Sequence, residues 1–327
     1  MRRAVLSWIA IGVVFVGALA LSIAALNADV YSARGFVRSY LDALSRRDAA
    51  AALAMPGVQP ASGARDLLTP PALGGLGAVT LVSDTADADG NHVLVFDVGL
   101  PGEEGVVDSG TGTARTEFHV QPLPARFGIF ASWRFATSPL ATLDISVDGA
   151  DSLTINAQQL DLAATSTDYL VFAPGLYRLD HESTWLEAVD VPVRVAEPGT
   201  VTDAELEATA NDAFIEAVSS DLADSLDACA GQGVLMPSGC PFGRTVTDRV
   251  VGDVQWTIDE YPVVTIAAGE HPGEWTATAA QGRAALSVPV QSLYTGDEST
   301  LEATTSISAE YDILIGPTGS FTIGSAD

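Results

Sequence analysis

The residues that could carry chemistry in this chain are few. Its only two cysteines, Cys229 and Cys240, bound the stretch CAGQGVLMPSGC, and the ten residues between them include three glycines and a proline. Such a pair could be a metal clip, a redox couple, a reactive thiol or a staple. A clip needs two further ligands, and none stands nearby; a redox couple ordinarily uses the much closer CxxC spacing. The four histidines, His92, His119, His181 and His271, never stand four apart. No helical turn therefore presents two imidazoles to one metal, HExxH is absent, and each histidine reads as a structural strand or loop residue.

In DTADADGNH, residues 84–92, Asp87, Asp89 and Gly90 match three positions of a calcium loop, but Thr85 and Phe96 fall where the opening and closing carboxylates belong. The same letters read as a hairpin turn with an Asp89-Gly90 corner. The chain has no lysine, which excludes a Walker A loop, an SxxK acylating pair, Schiff-base chemistry and pyridoxal phosphate attachment. No GxSxG elbow occurs, and the glycine-rich GEEGVVDSGTGTA, residues 102–114, lacks GxGxxG spacing and a following helix, so it reads as a hairpin loop. Neighbouring carboxylates such as Asp259 with Glu260 or Asp297 with Glu298 arise from composition alone at a formal charge of −27. No catalytic residue, metal ligand or cofactor is assigned. Trp133, Trp185, Trp256 and Trp275, with Tyr177 and Tyr261, read as core aromatics on alternating strands; stacking on a glycan or gripping a peptide is the functional alternative.

The elements that must position these residues begin with an apolar run. Ala4 to Leu26 is uncharged over 23 residues, about 34 Å as a helix, enough to cross a bilayer core. Arg2 and Arg3 precede it and Asp29 is the next charge, an asymmetry that predicts a cytoplasmic N-terminus and an extracytoplasmic remainder. A cleaved signal peptide is the rival reading; the run exceeds the ~7–15 residues of a signal core, which favours an uncleaved anchor with the lipid bilayer as partner through residues 4–26. In an oxidising exterior, two cysteines and no others predict a Cys229–Cys240 disulfide. Residues 199–327 carry three arginines against twenty acids, a net of 3 − 20 = −17, a field that repels nucleic acid and anionic head groups.

Beyond the anchor, SARGFVRSYLDALSRRDAAAALAM sets Phe36, Tyr40 and Leu44 at helical steps with Val37 and Leu41 beside them, and Asp48 reads as the cap of a second, alanine-rich helix stopped by Pro56 and Gly57. From Val79 the period becomes that of strands, so residues 28–139 read as a helix-then-sheet domain. Residues 140–198 hold only short alternating pieces and read as a small all-β, sandwich-like module. In residues 199–327, Thr202 with Glu205 suggests a capping box opening a helix that carries Phe214, Val218, Leu222 and Leu226 to its last turn at Cys229, again followed by strands. The expected class is α+β: an N-terminal transmembrane helix and two helix-on-antiparallel-sheet domains flanking a β module.

VRSYLDALSRRDAAAAL resembles the opening helices of extracytoplasmic NTF2-like (cystatin-like) domains, and Pro174, Gly175 and Tyr177 resemble the strand-end motif of PEGA-type surface modules. A single anchor followed by such domains is similar to the TcaA-type envelope proteins of Gram-positive bacteria, although the N-terminal cysteine-rich zinc ribbon of that group is missing here. The resemblance implies binding, sensing or scaffolding at the cell envelope, without catalysis, with an envelope protein, peptide or glycan as partner. It places candidate ligand pockets between helix and sheet, at Phe36, Tyr40 and Trp133 in the first domain and at Phe214 and Trp256 in the third. The same resemblance admits two alternatives: an enzyme acting on a small apolar ligand or cell-wall fragment, and a cell-wall assembly factor recruited through the acidic C-terminal domain.

Overall fold

A computed structural model describes residues 2–60, 62–100, 112–162, 166–269, 271, 273–316 and 319–325. The chain is mixed α+β, and its paired strands run antiparallel. In chain order it forms α1 (Arg2–Ala28), α2 (Ala33–Ser45) and α3 (Ala49–Leu53), then β1 (Val79–Ala86), β2 (His92–Gly99), β3 (Thr113–Arg126) and β4 (Phe130–Phe135). The segment expected as one β module contributes β5 (Leu140–Asp148), β6 (Ser152–Ile155), β7 (Gln158–Asp161), β8 (Ser166–Phe172), β9 (Gly175–Asp180), β10 (Leu186–Ala188) and β11 (Val191–Val195). Then come β12 (Val201–Ala210), α4 (Asp212–Ala230), β13 (Arg249–Val250), β14 (Gln255–Glu260), β15 (Val263–Ala268), β16 (Glu274–Gln291), β17 (Glu298–Ile315) and β18 (Phe321–Ser325). Two compact units result: Met1–Ser146, Leu153–Asp180 and Asp190–Glu205 form the first, and Val147–Ser152, His181–Val189 and Leu206–Asp327 the second. Residues 140–198 thus contribute to both.

In the first unit α1 includes an eighteen-residue stretch, Ile11–Ala28, with mean hydropathy 2.2 and none of it buried. It is compatible with a membrane span or a signal sequence. Helix α2 starts where the Ser32 hydroxyl accepts the Gly35 N–H at 3.0 Å, and α3 where an Asp48 carboxylate oxygen accepts the Ala51 N–H at 3.0 Å, each satisfying one orphan donor of the first turn. The stripe Val37, Tyr40, Leu41 and Leu44 is fully buried against Leu94 and Phe96 of β2, Phe118 and Val120 of β3 and Phe135 of β4. The four-stranded sheet runs in the order β1-β2-β3-β4. At its first turn the Asp87 carboxylate accepts the backbone N–H groups of Asp89 and Asn91, each at 2.9 Å, and the Asn91 side-chain amide at 2.8 Å, while Gly90 takes φ +79°. These bonds, led by the Asn91 side chain, hold the Asp87 carboxyl below its ordinary pKa. The letters that mimic a calcium loop therefore serve an Asx-type turn.

Also in the first unit, β5 pairs with β8, and a separate sheet runs in the order β11-β9-β6-β7. SGARDLLTPPAL forms turns and one isolated bridge, Ala64 to Tyr169. Two buried phenols organise this region. Tyr40 donates to the backbone oxygens of Pro139 at 2.9 Å and Ala173 at 3.1 Å, and Tyr177 donates to Phe172 O at 2.8 Å across the Ala173-Pro174-Gly175 turn. Burial raises both phenols' pKa well above the ordinary value, with the neighbouring Tyr177 adding to the shift at Tyr40. The glycine-rich loop expected at 102–114 falls largely outside the described residues.

At the capping box expected to open the second helical domain the sequence reading needs a correction. Thr202 and Glu205 lie in β12, whose alternating burial of Ala204, Leu206 and Ala208 is a strand pattern. The helix starts nine residues later than that capping box would place it, with Asn211 as its cap: the side-chain oxygen accepts the Phe214 N–H at 3.0 Å. The TxxE letters imitate a helix start although Thr202 and Glu205, three apart, fall on opposite faces of the strand: Thr202 shares the side of Ala204 and Leu206, while Glu205 is exposed. From Phe214 on the expected stripe holds: Phe214, Val218, Leu222, Leu226 and Cys229 are buried against a six-stranded antiparallel sheet. Cys229 is disulfide-bonded to Cys240, and no free cysteine remains. The closed loop is braced by Gln232, whose amide donates to Ser238 O at 3.1 Å and accepts the Ser238 N–H at 2.8 Å, and by the Trp256 indole N–H, which donates to Val234 O at 2.9 Å.

Two stability outcomes follow. Tyr40→Phe is expected to cost about 1–2 kcal/mol in urea unfolding at pH 7, since it removes a buried donor to two carbonyls. The unfolded phenol ionises near pH 10 while the buried one stays protonated, so stability is fully present below about pH 10 and falls as pH rises above it. Tyr40→Phe should make that alkaline decline shallower; an unchanged slope would count against the buried phenol. Cys240→Ser should cost roughly 3 kcal/mol, the value for a loop of this length, and a thiol reagent should label neither cysteine of the unreduced protein.

Candidate binding surfaces

The five residues expected to line ligand pockets all pack as core. Tyr40 is fully buried, its ring edge-on to Phe118 at 6.0 Å and Phe135 at 5.3 Å, and Phe36 lies 4.9 Å from the Phe135 ring. Trp133 is half-buried against the same cluster, its indole N–H donating to Tyr31 O at 2.8 Å. Phe214 and Trp256, expected in one pocket, belong to different clusters: Phe214 packs with Trp185, Trp275 and Phe321, whereas Trp256 packs with Phe242 at 5.0 Å under the disulfide loop. The helix joins the two clusters because its stripe is long enough to serve both halves of the sheet. None of the five lines the hollows described below.

The histidines do not converge on a centre. His181 is buried, with Nδ1 2.8 Å from Ser152 O and Nε2 3.3 Å from Ser183 Oγ, a structural setting. His92 Nδ1 lies 2.5 Å from Asp84 Oδ1 with Trp133 edge-on at 5.1 Å, and His119 Nε2 lies 2.9 Å from Glu117 Oε1. Residues His92 and His119 both border an open hollow of about 360 Å³ that Thr85, Asp87 and Asn91 also line. The strand register sets His92 opposite Val120 and His119 opposite Val93, so the two imidazoles leave opposite faces of the sheet. Among the described residues no group of three or more His, Cys, Asp or Glu side chains could hold a metal ion. Of the sequence-adjacent carboxylates, Glu260 is occupied by Arg283, 2.6 Å away, and Asp259 accepts from the Thr257 hydroxyl at 3.4 Å.

A hollow of about 870 Å³ lies on the second unit's sheet. Its lining is read from the register. Ala268, Trp275, Ile313 and Ile323 form one cross-strand row, and Ala268, Ile313 and Ile323 join Trp275 in the core cluster that includes α4. Their neighbours Glu274, Thr276, Asp312, Leu314 and Thr322 therefore point to the opposite face. Gly324, opposite Asp312, leaves that face without a side chain, and the hollow opens there.

This outer face continues along β17. Every even-numbered residue from Glu298 to Leu314 is exposed, whereas Leu301, Ala303, Thr305, Ile307, Ala309, Tyr311 and Ile313 are half or fully buried. Its acids are Glu298, Glu302, Glu310 and Asp312. Across the ladder β16 sets Gln291, Ser287, Thr278 and Thr276 opposite them, so no carboxylate faces another, and Ser287 donates to Glu302 at 2.8 Å. Such neutral pairing removes the like-charge penalty that directly opposed acids would carry.

The pairing of β17 is one-sided. Its partner β16 bonds β17 along the whole ladder on one edge and β13, β14 and β15 in turn on the other. On its far edge β17 meets only β18, over Tyr311–Ile315. Among the described residues no strand pairs with that edge from Glu298 to Glu310. The Thr305 hydroxyl, on the half-buried side of this stretch, is buried without a hydrogen-bond partner. The sequence TLEATTSISAEYDILIG announces a strand by its alternation, but which of its two edges is paired depends on contacts distant in sequence, so the open edge carries no local signal.

No protein-family model, no curated protein and no solved structure matches this chain.

Proposed function

We propose that this chain is a membrane-anchored, extracytoplasmic binding and scaffold protein of the bacterial cell envelope, built on NTF2-like domains of the TcaA type, with its N-terminus cytoplasmic and its partner bound by the second unit. The observation that carries this reading is the unpaired edge of β17 beside a polar, acidic face. An unpaired edge of this length is a template for strand addition, where main-chain bonds supply affinity and flanking side chains supply selectivity. The charge says which strand it accepts. Two copies pairing antiparallel about Thr304 would set Glu298 against Glu310, and like charges opposed across a ladder are unfavourable. An extended segment with arginine or lysine at alternate positions faces the carboxylates instead. The apolar stretch of α1 supports the anchor, and the disulfide suits an oxidising compartment.

The enzyme alternative asks for an open cavity with acid or base groups between helix and sheet. The aromatic filling around Tyr40 and the separate clusters of Phe214 and Trp256 favour binding over that alternative. Recruitment of a cell-wall assembly partner through the acidic C-terminal domain is the same surface put to one specific use.

The test is binding of a ten-residue alternating Arg/Val peptide to the full chain in detergent micelles, followed by calorimetry. Binding should weaken about tenfold in the Glu302→Lys/Glu310→Lys variant and with salt. A peptide N-methylated at alternate backbone amides, equal in charge, should bind far more weakly. Equal binding of the methylated peptide would reduce the interaction to charge alone and overturn strand addition.

A further inference from the structure

The turn between β3 and β4 combines two features that neither the core nor the acidic face explains. Phe127 sits at its tip with φ +52°, followed by Gly128 at φ +70°, and the Ile129 N–H donates to Arg126 O at 3.1 Å. Two successive positive φ values are those of a type I′ turn, whose first position favours Asn, Asp or Gly and disfavours a bulky residue. The side chain placed there is 93% exposed, and the neighbouring Ile129 is 47% exposed. An apolar residue held in an unfavourable backbone conformation and given no protein surface to cover calls for an external partner.

The second feature says what that partner is. Asn27, near the C-terminal end of α1, clasps this hairpin by both ends of its amide: Nδ2 donates to Ile129 O at 2.7 Å, and Oδ1 accepts the Ala131 N–H at 3.0 Å. Tyr31 stacks on Phe130 with centroids 4.6 Å apart, and the Trp133 indole N–H donates to Tyr31 O at 2.8 Å. Arg34 donates to Ala28 O at 3.1 Å, at the end of α1, and Arg126 is exposed beside Phe127. The hairpin is thus fastened where the apolar helix ends, among Tyr31, Trp133 and two arginines. Tyrosine at such a position suits the aromatic belt of a membrane interface, and arginines there meet lipid phosphates.

We infer that the Arg126–Phe130 hairpin is a second membrane contact, inserting Phe127 and Ile129 into the outer interface of the bilayer that α1 spans and so fixing the orientation of the first unit on the membrane. The inference rests on reading α1 as an uncleaved span. A single anchor helix leaves the domain free to swivel; a clasped hairpin with its own apolar tip removes that freedom.

The test uses the full chain reconstituted in phosphatidylcholine and phosphatidylglycerol vesicles. Both native cysteines are in the disulfide, so Phe127→Cys, Ile129→Cys, Val14→Cys and Tyr294→Cys each offer one reactive thiol for an environment-sensitive fluorophore. Interfacial apolar groups lie roughly 5–10 Å into the headgroup and acyl boundary, so labels at 127 and 129 should shift to the blue and be quenched by lipids carrying a nitroxide high on the acyl chain. The label at 14 should respond to deeper nitroxides, and the one at 294 only to aqueous iodide. If 14 is lipid-quenched while 127 and 129 respond to iodide, the hairpin contact is overturned and the anchor stands. If 14 also responds to iodide, the anchor reading falls and the hairpin inference falls with it.

Discussion

Every long strand in this protein has to hide an apolar side while exposing a polar one, in a chain that carries a formal charge of −27. Period-two alternation is the only local means of meeting both demands at once. It works because one residue of slippage would carry the carboxylates inward, where an unpaired charge is prohibitively costly, and the leucines and valines outward. The register of β16 with β17 shows the constraint at its strictest. Ala284, Leu286, Val288 and Val290 are buried on one side, and Ser287 and Gln291 face Glu302 and Glu298 on the other. The ladder shifts once, between Ala279 and Gly282, where Gln281 takes φ +67°. That bulge resets which residues face inward partway along a hairpin otherwise too long to follow one curved core.

The helices are subordinate to the sheets. Helix α4 has two jobs because its partner sheet has two halves: Phe214, Val218 and Leu222 fill the cluster around Trp275, whereas Leu226 and Cys229 fill the one around Trp256. The disulfide sits at the end of the second half, where the chain leaves the helix for a glycine-rich loop with no regular structure of its own. It holds that loop over Trp256, whose indole in turn holds Val234. Cross-link, loop and tryptophan thus close one end of the core together. In the first unit α2 plays a comparable part, with Tyr40 both filling the core and reaching the carbonyls of Pro139 and Ala173 beyond it.

Much of this was legible in the sequence, because amphipathic helices and alternating strands are local patterns. The α2 stripe, the Asp48 cap, the Asp89-Gly90 turn and the apolar line from Phe214 to Cys229 are all read from local sequence alone. The reading went astray at Thr202, where letters on opposite faces of a strand imitate a capping box, and the cross-strand pairs Leu186 with Ala210 and Ala188 with Ala208 show the end of that strand as part of a sheet. The candidate surfaces were less visible still. An open edge is defined by what fails to pair with it, and the Asn27 clasp joins residues 102 and 104 positions apart. Aromatic residues in strands carried no signal that separates a pocket wall from a core filling, because both demand the same residue types.

The acidity of the chain takes an ordered form at β17. Natural sheets guard their edges with bulges, prolines or charges, lysine above all, since an unguarded edge pairs with its own kind. This chain has no lysine, and its open edge is flanked by glutamate and aspartate. Carboxylates of one sign repel a second copy of the same edge as effectively as lysines would. They differ in what they leave possible: an edge guarded by lysine disfavours basic strands and favours acidic ones, whereas carboxylates favour the reverse. Such selection works by repulsion of the wrong strand as much as by attraction of the right one. A protein so acidic throughout gains solubility from any distribution of its charge, but opposing the edge-to-edge pairing of two copies of β17 takes charge along that strand. The four acids on its outer face, each set opposite a neutral residue of β16, supply it without burdening the ladder that holds the strand in place.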